Sequence, residues 1–137
     1  MKTFFDSSAF VKRYVEEEGS QIVDDICRET TELSLSVICV PEILSALNRR
    51  IREKRLSQRD YARIKQHFSD DVRDAMIINL IPEVIATSTK LLEASPLRAM
   101  DALHVACAIV WRADLFVSSD KQQVAAAGKA GLKIKYV

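Results

Sequence analysis

Four acidic residues occupy positions from which their carboxylates could work together on a metal ion. They are Asp6, Glu42, Asp101 and Asp120. Carboxylates crowded into one pocket repel one another, and a divalent cation removes that conflict. An all-oxygen ligand set suits Mg²⁺ or Mn²⁺ better than Zn²⁺, which prefers nitrogen and sulfur ligands. Such an ion lowers the pKa of water and stabilises the oxygens of a displacement at phosphorus. The pattern therefore indicates metal-assisted phosphodiester hydrolysis, with the number of ions left open.

Each acid also has a purely structural interpretation when it is considered alone. Asp6 and Asp120 each precede a helical pattern and would serve as its N-cap. Glu42 is favourable near a helix N-terminus because its charge complements the helix dipole. Asp101 would be a buried partner of Arg98, three residues earlier. That all four structural interpretations hold together is much less probable than that any one of them does.

Short runs of branched and aromatic residues alternate with helical patterns, which predicts an α/β fold with a parallel sheet. The strand-like runs cover residues 3–5, 33–38, 76–81, 115–117 and 132–137, and we expect buried strands there. The helical patterns cover residues 7–15, 20–29, 40–51, 57–73, 82–93, 95–112 and 121–128. In such sheets ligands bind beyond the carboxyl ends of the strands, which is where Asp6, Glu42 and Asp120 fall. The helix pair within residues 40–73 is expected to project as a hairpin.

Local signals predict the ends and buried faces of several helices. Ser7 and Ser57 are the expected N-caps of the first and fourth helical patterns. Leu56 and Tyr61 are spaced for a hydrophobic staple around Ser57. Two sets of residues are expected to face inward: Ile22, Val23 and Ile26 in the second helix, and Met100, Leu103, Cys107, Val110 and Trp111 beside Asp101.

The composition excludes several classes of protein. A chain of 137 residues suits one domain, residues 1–137. A net charge of +1 is not that of a strongly basic nucleic-acid coat, although local basic residues suffice for phosphate contacts. The early Asp6 argues against a signal peptide, and no apolar run is long enough to span a membrane. Cys27, Cys39 and Cys107 lie in apolar stretches without a CxxC pair, which predicts buried free thiols in the cytoplasm.

Four segments that contain these acids resemble a known family. The segments are FFDSSAFVKRY, VPEILSAL, RAMDALHVACAIV and ADLFVSSDKQ. They resemble the corresponding segments of PIN domains of the VapC toxin type, occur in that family's order and together span almost the whole chain. One such match would be weak, but four in order are specific to the family.

The resemblance implies a fold, an activity and a set of site residues. The fold would have three layers, with a five-stranded parallel sheet of order 3-2-1-4-5 between helices. The activity would be endonucleolytic cleavage of RNA with Mg²⁺ or Mn²⁺, and the four acids would bind the metal and carry catalysis. Ser8 matches a small polar residue close to the first Asp, and Ser118 matches a position that hydrogen-bonds within the acidic cluster. Such toxins are generally homodimers that a cognate antitoxin neutralises.

Two related interpretations share most of this pattern. One is a PIN-type ribonuclease that processes RNA outside a toxin–antitoxin pair, and the other is a catalytically silent PIN-like binding module. Some relatives carry a further acid beside the last Asp, where this chain has Lys121, Gln122 and Gln123. His104 is interpreted as a packed or hydrogen-bonded histidine rather than a ligand, and Asp114 as a turn residue that faces away from the site.

The basic residues that follow Glu42 suggest where RNA would bind. Arg49 and Arg50 lie in a basic run at the end of the Glu42 helix, and Arg49 shares the helical face of Glu42. They are candidate RNA-binding residues. A solvated helix end that complements the dipole is an equally good interpretation.

Two other uses of an Asp after the first strand fit the sequence less well. Phosphoryl transfer through an aspartyl intermediate would need a second acid where Ser8 stands. A receiver domain would need paired acids after the first strand and an Asp after the third strand, where the chain has Ile81 and Pro82.

Overall fold

The computed structural model describes residues 1–137 and contains one sheet of five strands. The strands are β1 (Lys2–Phe5), β2 (Glu32–Ser36), β3 (Met76–Ile78), β4 (Leu115–Ser118) and β5 (Lys133–Tyr136). Their order across the sheet is β3-β2-β1-β4-β5, and every neighbouring pair is parallel. The predicted fold class and strand order are confirmed, and the strand order reverses between β1 and β4.

Seven α-helices connect the strands. They are α1 (Ser7–Phe10), α2 (Ser20–Glu29), α3 (Cys39–Arg52), α4 (Gln58–Asp74), α5 (Pro82–Ala94), α6 (Ala99–Trp111) and α7 (Lys121–Lys129). A 3-10 turn, Val11–Arg13, continues α1. None of the helices combines the length and the apolar character needed to cross a lipid bilayer.

The sheet separates two apolar cores, because consecutive side chains of a strand point to opposite faces. Phe5 of β1 packs with the helices α1 to α4, in a core that also contains Phe10 and Phe68. Its neighbour Phe4 packs with α5, α6 and α7, and its ring stacks on that of Phe116 at 5.9 Å between centroids. Burial of each phenylalanine contributes about 1.5–3 kcal/mol. Residues of β1 and β4 pack in both cores, and both strands end at the candidate site.

The edge strands differ from the prediction of buried strands. Met76 in β3 and Tyr136 in β5 are 54% and 50% exposed, and all of β5 is exposed. The sequence patterns are those of apolar strands, but each edge strand has a neighbour on one side only. β3 also ends at Ile78 rather than at residue 81, because Ile78 pairs with Ser36, the last residue of β2.

Several predicted helix boundaries and faces need correction. Asp6, and not Ser7, is the N-cap of α1, which is only four residues long. α6 begins at Ala99 rather than near residue 95, because Pro96 disfavours a helical Ser95, whose backbone is extended. Ile22 and Met100 are 42% and 43% exposed, so neither is a core residue.

The predicted hairpin consists of α3 and α4. Ser57 caps α4 as expected, since its side chain accepts a hydrogen bond from the backbone of Asp60. The two helices contribute Ile43 and Phe68 to the same core, while residues 52–60 at the tip are exposed apart from the half-buried Leu56.

The cysteines are free thiols, as expected. Cys39 and Cys107 are buried, and Cys27 is only half-buried.

Candidate active site

The four candidate acids lie on elements that begin at the carboxyl edge of the sheet. Asp6 follows β1 directly and Asp120 follows β4, and these two strands are neighbours at the reversal of strand order. Glu42 is in the first turn of α3 and Asp101 in the first turn of α6. Sheets of this kind bind ligands at this edge.

Asp6 is a buried carboxylate that is held by neutral donors. Its side chain is almost inaccessible, at 1% exposure. The Ser8 hydroxyl lies 2.9 Å from Oδ1 and 2.7 Å from Oδ2, the Ala9 backbone N–H donates to Oδ1, and the Ser118 hydroxyl donates to Oδ2 at 2.9 Å. Burial raises the pKa of Asp6, and the charge of His104 and these donors only partly oppose that rise. No lysine or arginine forms an ion pair with Asp6.

Ser118 links Asp6 to Asp120 across the β1–β4 pair. Its hydroxyl donates to Asp6 and accepts from the Asp120 backbone N–H at 2.9 Å. Asp120 caps α7, because its Oδ1 accepts from the backbone N–H groups of Gln122 and Gln123 at 2.8 and 3.1 Å. The capping interpretation of Asp6 and Asp120 is therefore correct as far as it goes. The cap occupies only one oxygen of Asp120, so it leaves Oδ2 available.

Asp101 is bound mainly by a residue that the sequence did not single out. Its Oδ1 accepts a hydrogen bond from the Gln123 side-chain amide at 3.0 Å. The expected partner Arg98 lies 3.4 Å from Oδ2. The Arg98 side chain is 88% exposed, so water screens that contact and it stabilises little.

Glu42 is held by two residues from different parts of the chain. Its Oε1 accepts from the Ser7 hydroxyl at 2.7 Å and contacts His104 Nε2 at 2.5 Å. Burial alone would raise the pKa of Glu42, but the hydrogen bond and charge of His104, together with Ser7, lower it. His104 is 2% exposed and contacts Glu42 rather than Asp101, as expected for a hydrogen-bonded histidine.

One continuous set of contacts therefore joins the four acids. It leads from Asp101 through Gln123 to Asp120, and from there through Ser118 to Asp6. Ser7, the residue after Asp6, then contacts Glu42. No three histidine, cysteine or acidic side chains lie close enough together to hold one ion in this structure. The donor set nevertheless fits a hard divalent cation, because it is all carboxylate and includes the buried Asp6, whose hydrogen-bond donors are all neutral.

The two candidate RNA-binding arginines face different directions. Arg49 lines a groove of about 350 Å³ together with Glu42 and the exposed Met100. Arg50 is instead half-buried and lies 3.5 Å from Glu17. Of the two arginines, only Arg49 shares a groove with a candidate acid, Glu42.

Asp114 lies at the opposite edge of the sheet. Its Oδ2 accepts a hydrogen bond from the backbone N–H of Lys2, the first residue of β1, at 2.8 Å. This agrees with the interpretation of Asp114 as a turn residue away from the site.

Three further residues contact the candidate acids: Ser7, His104 and Gln123. The sequence did not predict these contacts, although each residue is close in sequence to a candidate acid. Ser7 is next to Asp6, and His104 lies three residues after Asp101. Gln123 lies three residues after Asp120, a spacing that predicts a capping box rather than a contact with another helix.

A family model describes nearly all of this architecture: the model of the PIN domain matches residues 3–129. This chain belongs to the PIN-domain family. Ribonuclease VapC45 of Mycobacterium tuberculosis is 28% identical over 106 residues, which cover 77% of this chain and 74% of that protein.

Solved structures with low sequence identity share the fold of this PIN domain. A chain of VapBC2 from Rickettsia felis, solved bound to a DNA fragment from its promoter, has a TM-score of 0.71 and 11% identity, with 100% and 99% of the two chains covered. The sarcin-ricin loop cleaving toxin VapC20 of Mycobacterium tuberculosis has a TM-score of 0.69 and 13% identity, with 95% of each chain covered.

Proposed function

We propose that this PIN domain is a ribonuclease that requires Mg²⁺ or Mn²⁺ and is the toxin of a toxin–antitoxin pair. The observation that carries the proposal is the continuous set of contacts that joins the acids at the switch point of the sheet: Asp6, Glu42, Asp101 and Asp120. A single cap or ion pair would not require four acids from four elements to be connected in this way.

The four acids would hold the divalent cation. A cation bound there would neutralise the negative charge of the pocket, lower the pKa of water and stabilise charge on a phosphodiester. The chain's own contribution is to hold the carboxylates in fixed orientations, and several of the donors that do so carry no charge. Ser8 and Ser118 do this for Asp6, and Ser7 does it for Glu42. Such orienting contacts typically strengthen both metal binding and activity.

The groove beside Glu42 is the proposed path of the RNA strand. Arg49 would contact a backbone phosphate there, because a guanidinium binds phosphate oxygens well. Arg50 is not included, because it faces Glu17 instead. Phosphate contacts of this kind hold a strand in position and do not read its sequence.

The names of the similar proteins support RNA as the substrate and an antitoxin as the partner. The relative with 28% identity is named a ribonuclease, and the solved structures include toxin–antitoxin complexes. We extend this to a homodimer that acts on RNA in the cytoplasm and is neutralised by its antitoxin.

RNA cleavage by the purified protein tests the proposed activity. Cleavage should require Mg²⁺ or Mn²⁺ and stop when EDTA is added. Asp6→Asn and Asp101→Asn should each reduce the rate by about a hundredfold or more, which corresponds to about 3 kcal/mol. Asp114→Asn is the matched control: it removes an acid at the opposite edge of the sheet and should cleave like the wild type. Full activity in either site variant would refute the proposed centre.

Expression in a bacterial host tests the toxin assignment separately. Induction of the wild-type protein should arrest growth, Asp6→Asn should not, and co-expression of the cognate antitoxin should restore growth. Cleavage in vitro without growth arrest would favour RNA processing outside a toxin–antitoxin pair. Absence of both would favour a silent binding module.

A further inference from the structure

Gln123 has a different partner from the one that its position on α7 predicts. It is three residues after the N-cap Asp120, where a glutamine side chain commonly reaches back to the N-cap backbone N–H. That N–H instead donates to the Ser118 hydroxyl at 2.9 Å. The Gln123 side chain leaves its own helix and donates from Nε2 to Asp101 Oδ1 on α6 at 3.0 Å.

One end of the Gln123 side chain is buried without a partner. Gln123 is 3% exposed, and its Oε1 has no hydrogen-bond donor. A buried acceptor without a donor is destabilising. The neighbouring buried positions of α7, Ala126 and Ala127, are apolar. An apolar side chain at position 123 would avoid the unpaired oxygen but would leave Asp101 without its buried donor.

Gln123 connects two of the acids without cancelling their charge. Its backbone N–H donates to Asp120 Oδ1 at 3.1 Å, and its side chain donates to Asp101 Oδ1 at 3.0 Å. A lysine or arginine in this place would orient the same oxygens but would also compete with a cation. A neutral amide orients the carboxylates and leaves their negative charge available to an ion.

We propose that Gln123 is a positioning residue that holds Asp101 and Asp120 in the orientation needed to bind the divalent cation. This assignment rests on the proposed function, because it concerns the same metal site. It adds to that proposal a residue that is not itself a ligand.

Calorimetric titration of the metal-free protein with Mn²⁺ tests the assignment without measuring activity. Gln123→Met keeps the length of the side chain and removes the donor. We expect it to weaken Mn²⁺ binding by about 10- to 100-fold. The melting temperature of the metal-free protein should change little, because removal of the unpaired oxygen and loss of the hydrogen bond to Asp101 have opposite effects. Gln122→Met is the matched control: the Gln122 side chain is exposed and the backbone N–H at this position still donates to Asp120, so the Mn²⁺ affinity of this variant should be that of the wild type.

The outcomes separate this assignment from the proposed metal site. Mn²⁺ binding by the wild type, with equal affinity in Gln123→Met, would overturn the role of Gln123 and leave the metal site intact. No Mn²⁺ binding by the wild type would overturn both. A lower melting temperature in Gln123→Met with unchanged affinity would make Gln123 a structural residue only. If Gln123→Met does not fold, Gln123→Asn shortens the amide by one methylene and should weaken binding similarly, and wild-type affinity in it would overturn the role.

Discussion

Asp6 and Asp71 are both held by several hydrogen bonds, but their partners differ in charge. Asp71, on α4, accepts from Arg13 Nε at 2.8 Å and from the Tyr14 hydroxyl at 2.6 Å. Its partners therefore include a cation, and the chain neutralises Asp71 itself. The carboxylate of Asp6 accepts only from neutral donors such as Ser118. The comparison shows how a structural acid differs from one whose charge remains available to a ligand.

The pKa shifts of the two carboxyl groups follow from this difference. Burial raises the pKa of Asp6, and its neutral donors do not compensate. Burial would also raise the pKa of Asp71, but the hydrogen bonds and charge of Arg13, with Tyr14, lower it instead. The ionised form of Asp71 thus stabilises the fold, whereas the ionised form of Asp6 is costly until a cation is present.

RNA cleavage should separate the two acids most strongly. Asp6→Asn should lower the cleavage rate by about a hundredfold or more, because it removes a charge from the site (about 3 kcal/mol). Asp71→Asn should change the rate by no more than about threefold when both are measured well below their melting temperatures. Similar losses in the two variants would show that the distinction between a site acid and a structural acid is wrong.

Of Asp6 and Asp71, only Asp6 should contribute to stabilisation by a divalent cation. Mn²⁺ at about a hundred times its dissociation constant should raise the free energy of unfolding of the wild type by about 2.7 kcal/mol. Urea denaturation with and without Mn²⁺ measures this difference. Asp71→Asn should gain the same increment, and Asp6→Asn should gain little. An undiminished gain in Asp6→Asn would place the ion elsewhere.

The fold itself should depend more on Asp71 than on exposed acids. Asp71→Asn should lower the free energy of unfolding by about 2 kcal/mol, because hydrogen bonds to a charged group contribute about 1.5–3 kcal/mol. Asp25→Asn is the control: Asp25 pairs with Arg28, but both side chains are more than half exposed, so the change should stay within about 0.5 kcal/mol. Equal effects in urea denaturation would contradict a structural role for the Arg13–Asp71 pair.

The stabilisation by Asp71 should depend on pH in a defined direction. Its pKa in the folded protein is lowered from the ordinary value of 3.8. The contribution should therefore be fully present above about pH 5 and decline as the pH falls through the folded pKa. Denaturation of metal-free wild type and Asp71→Asn from pH 7 to pH 3 measures it as the difference between the two proteins. A difference that grows with acidity would contradict the assignment.

The sequence patterns predicted the fold well where an apolar segment is in fact covered by neighbouring elements. The parallel sheet follows from the alternating elements, and the ends of β1 and β4 follow from Asp6 and Asp120 as helix caps. The order of the strands was implied only by the resemblance to PIN domains. The patterns failed where an apolar run lies at an edge of the sheet, as with Tyr136, because exposure depends on what packs beside the strand. The prediction that Met100 is buried was also wrong. The apolar stripe of a helix does not reveal which of the helical turns extends past the elements that would cover it.

Three of the candidate acids, Asp6, Glu42 and Asp120, could be read from local sequence, because each stands at a recognisable end of a strand or start of a helix. Asp101 was identified instead as an acid within an apolar helix. Local patterns did not reveal their distant partners, and Ser118 was indicated only by the resemblance to PIN domains. Ser118 is 112 residues from Asp6, Ser7 is 35 residues from Glu42, and Gln123 is 22 residues from Asp101. A local pattern predicts contacts within one helix, such as the capping of its first backbone N–H groups. Which distant side chain reaches a carboxylate depends on how the helices pack on both faces of the sheet, and that was decided only in the folded chain.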